Sequence, residues 1–256
     1  MQIIACFKVV PEEQDIIVNA NGDLSFDRAK MTISNYDINA IEAGAQLAEA
    51  HGGAVGGISG GGAGIDDSKL KKNVLARGPE SLYVVADNSL ADMDTHQTAT
   101  VLKAAIGKVG QFDLILCGEG SADLYAQQVG VQLGQLLNLP TVNSVSKISL
   151  KDEKAIVERI LEDEVEILEI PLPAVLAVTS DSNVPRIPGM KQILAAGKKT
   201  AISWTSADLG LCRPAKSIEN LETKAPKQAE RKQDVLASDS EEAVREFLEK
   251  IIKELK

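Results

Sequence analysis

LILCGEGSADLYAQQVGVQLG, residues 114–134, opens on the apolar run Leu114 to Cys117 and breaks into a glycine turn at Gly118 and Gly120. A buried strand that runs into a turn carrying Ser121 and Asp123, and then into a helix, is how a parallel α/β sheet presents a nucleotide site. The strand's carboxyl end, a turn without side-chain bulk and a helix amino terminus converge there. Backbone N–H groups and the positive end of the helix dipole then face an incoming phosphate. The spacing predicts a helix over 123–137, stopped by Pro140. Asp123 would cap that helix or bind ribose hydroxyls, capping being the commoner role.

Toward the amino terminus, Ile3 to Val10 is an apolar run ending at Pro11, suited to a central strand buried on both faces. A polar excursion from Glu12 to Lys30 follows, and Asn35 to Asp37 offers polar caps ahead of Ile38, Ile41, Ala45 and Ala48, one apolar helix face ended by Gly52 and Gly53. A weak strand (54–59), a helix (66–76), a strand (82–86) and a second good helix (95–109) complete the alternation that precedes Leu114. Strand and helix in alternation predict a doubly wound parallel sheet. After Pro140 the rhythm changes to short β-type runs at 142–150, 155–161 and 165–170 without helices between them, an antiparallel addition closed by one more core strand at 174–179. From Asp181 periodicity is low until Val244, Phe247, Leu248, Ile251, Ile252 and Leu255 mark an amphipathic helix started by Ser240. The apolar face of that helix, and the lone Trp204, need a surface, and a partner chain is a physically sensible one.

Composition removes several function classes. A net charge of −10 gives no basic footprint for nucleic acid. The longest apolar runs, such as Leu172 to Val178, are too short to span a bilayer, and the amino terminus lacks a signal-peptide pattern, so the expected compartment is the cytoplasm with no direct membrane insertion. Cys6, Cys117 and Cys212 are widely spaced, which indicates neither a disulfide framework nor a CxxC metal site. His51 and His96 have no Cys or second His nearby, and His51 suits a helix carboxyl end. Gly118 to Ala122 lacks the final glycine of a nucleophile elbow, so a small hydrolase using Ser121 and Asp123 ranks last. The glycine-rich GISGGGAG, residues 57–64, reads equally as a flexible turn or as a backbone lining for a nucleotide. Glu162, Asp163, Glu164 and Glu166 read as a solvated hairpin tip.

Five stretches together resemble one family. IIACFKVVP near the amino terminus, SNYDINAIEA (34–43), GEGSADLYAQQVG (118–130), the hairpin VERILEDEVEILEIPLPAV (157–175) and VTSDSNVPRIPGMKQILAAGKK (178–199) are similar to the beta subunit of electron transfer flavoproteins, closest to its Fix-type branch. The resemblance covers nearly the whole chain in order. It implies a fold of the adenine-nucleotide-hydrolase type, doubly wound, with an antiparallel addition and a C-terminal arm ending in a helix. The implied organisation is a nucleotide-binding domain over 1–180, a recognition loop over 181–200 and an arm over 201–256 docking on an alpha subunit. It also implies an electron carrier with no side-chain catalytic centre. The alpha subunit holds most of a redox-active FAD, and electrons pass between flavin dehydrogenases and a quinone oxidoreductase or ferredoxin-type acceptor. The beta chain binds a structural AMP in the ordinary branch and a second FAD in the electron-bifurcating and Fix-like branch.

Carried onto this sequence, the family's nucleotide-contacting places fall on Cys6, Asn35, Asp37, Gly60 and the loop with Gly118, Gly120, Ser121, Asp123, Gln127, Gln128 and Val129. Ordinary AMP-binding members carry several acidic residues and a Thr within the stretch that reads here from Asp123 to Val129. The missing hydroxyl favours FAD, although Val129 also reads as mere repacking of the helix start. Met190 matches the apolar anchor of the recognition loop, its plain alternative being an ordinary buried Met, with Lys191, Lys198 and Lys199 around it to steer acidic partners or keep the loop soluble. Arg159 lies in the segment the family sets near the subunit boundary, where a cation would stabilise negative charge on a reduced flavin. A salt bridge inside the hairpin reads equally well. The competing class is a stand-alone AMP- or ATP-binding module without redox activity, against which the extension after Asp181 speaks.

Overall fold

The computed structural model describes residues 1–211, 215–227, 233, 235, 236 and 238–255. Nine strands form one sheet: β1 (Gln2–Cys6), β2 (Ala54–Gly61), β3 (Ser81–Ala86), β4 (Leu114–Gly118), β5 (Thr141–Lys151), β6 (Lys154–Ile160), β7 (Val165–Pro171), β8 (Ala174–Val178) and β9 (Thr200–Trp204). Their order across the sheet is β7-β6-β5-β8-β4-β1-β2-β3-β9. Every pairing from β5 through β8 to β9 is parallel, and only β5-β6 and β6-β7 are antiparallel. The helices are α1 (Asn35–His51), α2 (Ser68–Leu75), α3 (Thr95–Val109), α4 (Val129–Leu137), α5 (Met190–Ala196) and α6 (Glu241–Glu254). This is the mainly parallel α/β sheet with an antiparallel addition that the alternation of elements predicts.

Period-two alternation on the central strands builds two cores. Ile3, Ala5 and Phe7 from β1 and just beyond it, with Leu114 and Leu116 from β4 and Leu176 from β8, pack with Ile41, Leu70 and Val74 from α1 and α2. Their neighbours Ile4, Cys6, Ile115, Cys117 and Val175 face the other way and meet Leu102, Ile106 and Leu133 from α3 and α4. Burial on both faces explains the unbroken apolar runs of these strands. α3 starts where a capping box forms. The Asp94 carboxylate accepts from Gln97 N–H (2.7 Å) and the Gln97 side chain accepts from Asp94 N–H (3.1 Å).

Several expectations are corrected. The glycine-rich stretch 57–64 is not a turn for most of its length, because Gly57 to Gly61 lie in β2. Small residues stand there because their surroundings are full: a Cβ on Gly57 would be 2.8 Å from Leu82 Cδ1 on β3 and 3.2 Å from Val74 Cγ1 on α2, and one on Gly60 would be 3.0 Å from Val101 Cγ1 on α3. The first apolar run also divides, since β1 stops at Cys6 and Val9–Pro11 pairs separately with Met31–Ile33. After Asp181, low periodicity hides a helix, α5, and an edge strand, β9, paired in parallel with β3. Trp204, at the end of β9, finds its surface within the chain. Its ring stacks on Tyr83 at 5.4 Å, and the Lys108 ammonium lies 5.1 Å from the ring centre.

The chain divides into two units, Met1–Ile17 with Ser25–Glu222, and Val18–Leu24 with Thr223–Lys256. In the second, the Ser240 hydroxyl accepts from Ala243 N–H (3.3 Å) and starts α6, as the sequence predicts. Val244, Phe247, Leu248 and Ile252 are exposed along it. Cys212, and 212–214, 228–232, 234, 237 and 256 of the expected arm, lie outside the described residues. No helix among the described residues is long and apolar enough to cross a membrane. Gly57→Val, which forces a branched side chain between β2 and α2, is expected to lower stability by about 1–3 kcal/mol. An unchanged urea midpoint would show that the stretch tolerates bulk as a turn does.

Candidate functional site

The strand order reverses at β1. The chain leaves β1 for β2 and β3 on one side, and β4 returns to the other, which makes the carboxyl ends of β1 and β4 the switch point of the sheet. Ligands of doubly wound sheets bind at such a switch point.

α1 reaches the switch point from one side through Asp37. Its Oδ2 accepts from Lys8 N–H (2.8 Å) just past β1, and its Oδ1 accepts from Gly118 N–H (3.2 Å) at the end of β4. Burial drives the Asp37 carboxyl up from the ordinary 3.8 to about 7, against these two hydrogen bonds and the Lys8 charge, which favour the anion. Gly118 has no room for a side chain, since a Cβ would stand 2.7 Å from both Asp37 Oδ1 and the Tyr36 carbonyl carbon. Ser34, wholly buried, precedes α1, and its Oγ accepts from Ala122 N–H (3.3 Å). It is the residue before the helix, whereas Asn35 to Asp37, read from the sequence as caps, are the first helical turn.

Beyond Gly118 the loop differs from expectation. The helix begins at Val129, six residues later than Asp123, so Asp123 does not cap it. Its Oδ2 instead accepts from the Lys8 ammonium at 2.6 Å. Burial pushes the Asp123 carboxyl up, but Lys8 and the Ser121 hydroxyl outweigh it and hold the group below the usual carboxylate range. The intervening loop is extended by residues in the left-handed region, Tyr125 (φ +46°) and Gln127 (φ +56°). Tyr125 covers Gly120, where a Cβ would run into its ring, and packs on Tyr36 with ring centres 5.0 Å apart. The Gln128 side chain turns to α3, its Oε1 accepting from Thr95 Oγ1 (3.1 Å) and Gln132 Nε2 (3.1 Å), and leaves the first amides of α4 uncapped by it.

Cys6 at the end of β1, Asn35 and Asp37 in the first turn of α1, and the stretch from Gly118 through Gly120, Ser121, Asp123 and Gln127 to Val129 thus lie at the carboxyl ends of β1 and β4, the Gln128 side chain turning away to α3, and Gly60 is the last residue but one of the neighbouring β2. Cys6 is buried, and its hydrogen bond to Cys117 together with burial keeps its thiol well above the usual range, in the protonated form. Met190 and Arg159 stand apart from this group. Met190 begins α5 at 72% exposure, which decides against an ordinary buried methionine. Arg159 sits on β6 with Nη1 3.3 Å from Glu166 Oε2 and Nη2 2.9 Å from Asn143 Oδ1, the hairpin salt bridge weighed for it. Sequence reasoning missed Lys8, Ser34, Tyr36 and Thr95. A lysine directly after a buried strand was the available signal for the first, and a serine directly before a helix for the second. Among the described residues no group of three or more His, Cys, Asp or Glu side chains is placed to hold a metal ion.

A nine-stranded doubly wound sheet with donors and a carboxylate pair gathered at its switch point defines an α/β protein built to hold a ligand at its strand ends. The family model described as electron transfer flavoprotein domain matches residues 23–209, and the chain belongs to that family. Members carry electrons, bind flavin in general and work with the other electron transfer flavoprotein subunit and with dehydrogenases.

Asp37 carries a pH dependence. Because its folded carboxyl titrates near 7 rather than 3.8, the folded state holds the extra proton between these values. Its contribution therefore favours folding at low pH and is lost as pH rises from about 4 to about 7. Asp37→Asn should flatten that part of the stability profile, lowering stability at low pH through a mismatched hydrogen bond and closing the gap to the parent protein as pH rises. Urea midpoints at about pH 5 and about pH 8 test this. Equal slopes in the two proteins would remove Asp37 as the cause.

Proposed function

We propose that this chain is the beta subunit of a heterodimeric electron transfer flavoprotein, closest to the Fix-type branch. It holds an adenine nucleotide, FAD in preference to AMP, at the switch point. The observation that carries the reading is the junction of Asp37, Lys8, Gly118 and the uncapped start of α4 within a chain of this family.

The residues present fit such a group on three counts. Ser121 and Asp123 offer polar oxygens to hydroxyls, the first amides of α4 suit a phosphate, and the paired rings of Tyr36 and Tyr125 offer a flat apolar surface. Lys8 neutralises Asp123 and limits the repulsion a phosphate would meet. When bound, a flavin would supply the redox chemistry, one- or two-electron. The chain's own residues bind and orient: Asp37 shapes the switch point through the backbone, and Val129, first residue of α4, offers only its N–H where a threonine would add a hydroxyl. In this reading residues 1–180 form the nucleotide-binding domain, 181–200 the recognition loop with Met190 as its anchor, and 201–256 the arm docking on the alpha subunit. Arg159 lies toward the flavin of that partner. Electrons pass between flavin dehydrogenases and a quinone reductase or ferredoxin-type acceptor, with bifurcation where two FAD are held, and the compartment is the cytoplasm.

The heterodimer, purified with its alpha partner, is expected to show oxidised-flavin absorbance, and denaturation is expected to release two FAD and no AMP. One FAD with one AMP defeats the two-FAD version, and no flavin at all sinks the electron-carrier reading. Val129→Thr should shift the released nucleotide toward AMP, and unchanged nucleotide content would count against a discriminating role for this position.

A further inference from the structure

Between β4 and α4 the chain makes a loop, residues 119–128, that reaches back to β1 and α1. Three contacts hold it there. The Asp123 carboxylate accepts from the Lys8 ammonium just beyond β1 at 2.6 Å, and the Ala122 N–H donates to the Ser34 hydroxyl oxygen just before α1 at 3.3 Å. The third is between rings, Tyr125 meeting Tyr36 of α1 with centres 5.0 Å and planes 43° apart. Inside the loop the Tyr125 N–H donates to the Ser121 carbonyl at 2.9 Å, and this single turn carries the Tyr125 ring over Gly120.

The loop keeps this form against local strain. Tyr125 and Gln127 stand at φ +46° and +56°, in the left-handed region that a bulky side chain rarely takes, and such residues persist only where their surroundings fix them. Those surroundings are shallow. Tyr125 is 43% exposed and Leu124 beside it 61%, and the Lys8–Asp123 pair is partly exposed, a weak tie in water. Tyr125 belongs to neither of the two cores. Tyr36 has firmer support: it stands between the buried Ser34 and the buried Asp37, whose carboxylate accepts from the Lys8 and Gly118 N–H groups at the ends of β1 and β4. One ring of the pair is therefore fixed to the sheet, and the other rides on a strained loop near the surface.

From this arrangement we infer that Tyr125 is a specificity-determining residue of the switch-point site: in the ligand-free chain its ring stands on Tyr36 in the place of a ligand's flat ring, and a ligand that brings such a ring displaces it. The inference rests on the nucleotide reading for the class of ligand and adds to it the step by which that class is selected. Any planar ring can replace the phenol on Tyr36, because stacking asks for a flat π-face and little else. The exchange also relieves the loop, since Tyr125 and Gln127 lose the contact that holds them at positive φ. The same loop leads directly into the uncapped start of α4, so a phosphate joined to the ring meets those amides in the same event. A phosphorylated sugar without a base has nothing to set against Tyr36 and leaves the loop as it is. Until a ring arrives, the closed loop lowers the apparent affinity for every ring-bearing ligand by the fraction of the time it is open. A tyrosine that only widened the stacking surface would act with the opposite sign, and its removal would weaken binding.

Two measurements test this on the full chain, together with any subunit that purifies with it, after bound nucleotide has been stripped. Hydrogen exchange reads the loop without a ligand. The amides of Ala122 and Tyr125 are expected to exchange at least about tenfold more slowly than in an unstructured peptide, and Tyr125→Ala to remove most of that protection while β1 and β4 keep theirs. Tyr125→Phe, which keeps the ring, should keep the protection. Calorimetric titration with AMP, FAD and ribose 5-phosphate then reads the exchange of rings. Tyr125→Ala is expected to tighten AMP and FAD by about threefold or more and to leave ribose 5-phosphate as it is in the parent protein, whereas Tyr36→Ala weakens AMP and FAD. Tyr125→Gly, which suits a positive φ, is the second variant and should tighten them as well, with circular dichroism checking that each variant is folded. Equal or weaker binding of AMP and FAD by the two folded Tyr125 variants would overturn the inference. So would an equal gain for ribose 5-phosphate, or exchange of the parent's loop at the rate of a free peptide, and each of these results leaves the nucleotide reading standing. Absence of AMP and FAD binding from the parent and every variant would sink the nucleotide reading and this inference with it.

Discussion

One carboxylate holds the centre of this molecule. β1 and β4 end side by side, and the N–H groups of Lys8 and Gly118 point toward the space where the sheet stops and a ligand would begin. Buried donors without acceptors cost on the order of 1–3 kcal/mol each. Asp37 answers both at once, and much of the local sequence follows from its doing so. α1 must begin two residues earlier for the side chain to arrive at the strand ends, which places Ser34 at its start. Gly118 must lack a Cβ because the carboxylate and the first turn of α1 occupy that volume. The switch point therefore owes its shape to a group that spends its oxygens on the backbone and is 7% exposed.

Much of this was legible in sequence because it rests on periodicity. Leu114 to Cys117 and Ala174 to Val178 read as buried strands since both faces are covered, and Thr95 to Val109 reads as a helix from its apolar spacing. What escaped rests on tertiary contact. β9 is an edge strand whose residues are mostly exposed, so its alternation is faint, and only pairing with β3 gives it its state. The delayed start of α4 escaped because residues 123–128 are ordinary helix formers held out of helix by the positive φ of Tyr125 and Gln127 and by the Tyr36 contact. Glycine composition misled at 57–61, where small size serves packing rather than turning. The site's chain positions were legible as strand ends; the ion pair of Lys8 with Asp123 was not, because it joins residues 115 apart in sequence.

Charge is distributed with the same economy of partners. Asp94 serves α3 through Oδ1 and reaches the tail with Oδ2, which accepts from Ser217 N–H (2.5 Å) and Ile218 N–H (3.1 Å). Asp87, held well below the usual carboxylate range by the Ser206 hydroxyl and by backbone amides, fastens the turn after β9 to the end of β3. Acidic groups at helix starts and strand ends thus fasten the later part of the chain to the sheet, which gives the surplus of negative charge a structural use.

The return of the chain to the sheet at β9 has a consequence for how such a protein changes over time. Both ends of the segment 179–199 are fastened, one to β8 and α1, the other to β3 and the end of α2, so what lies between is a closed span. A span with fixed ends can be altered in sequence or lengthened with only a slow, logarithmic rise in closure entropy. Its outward residues bear on neither core. The side chains this span turns outward can therefore change over time while the sheet and its strand ends stay as they are.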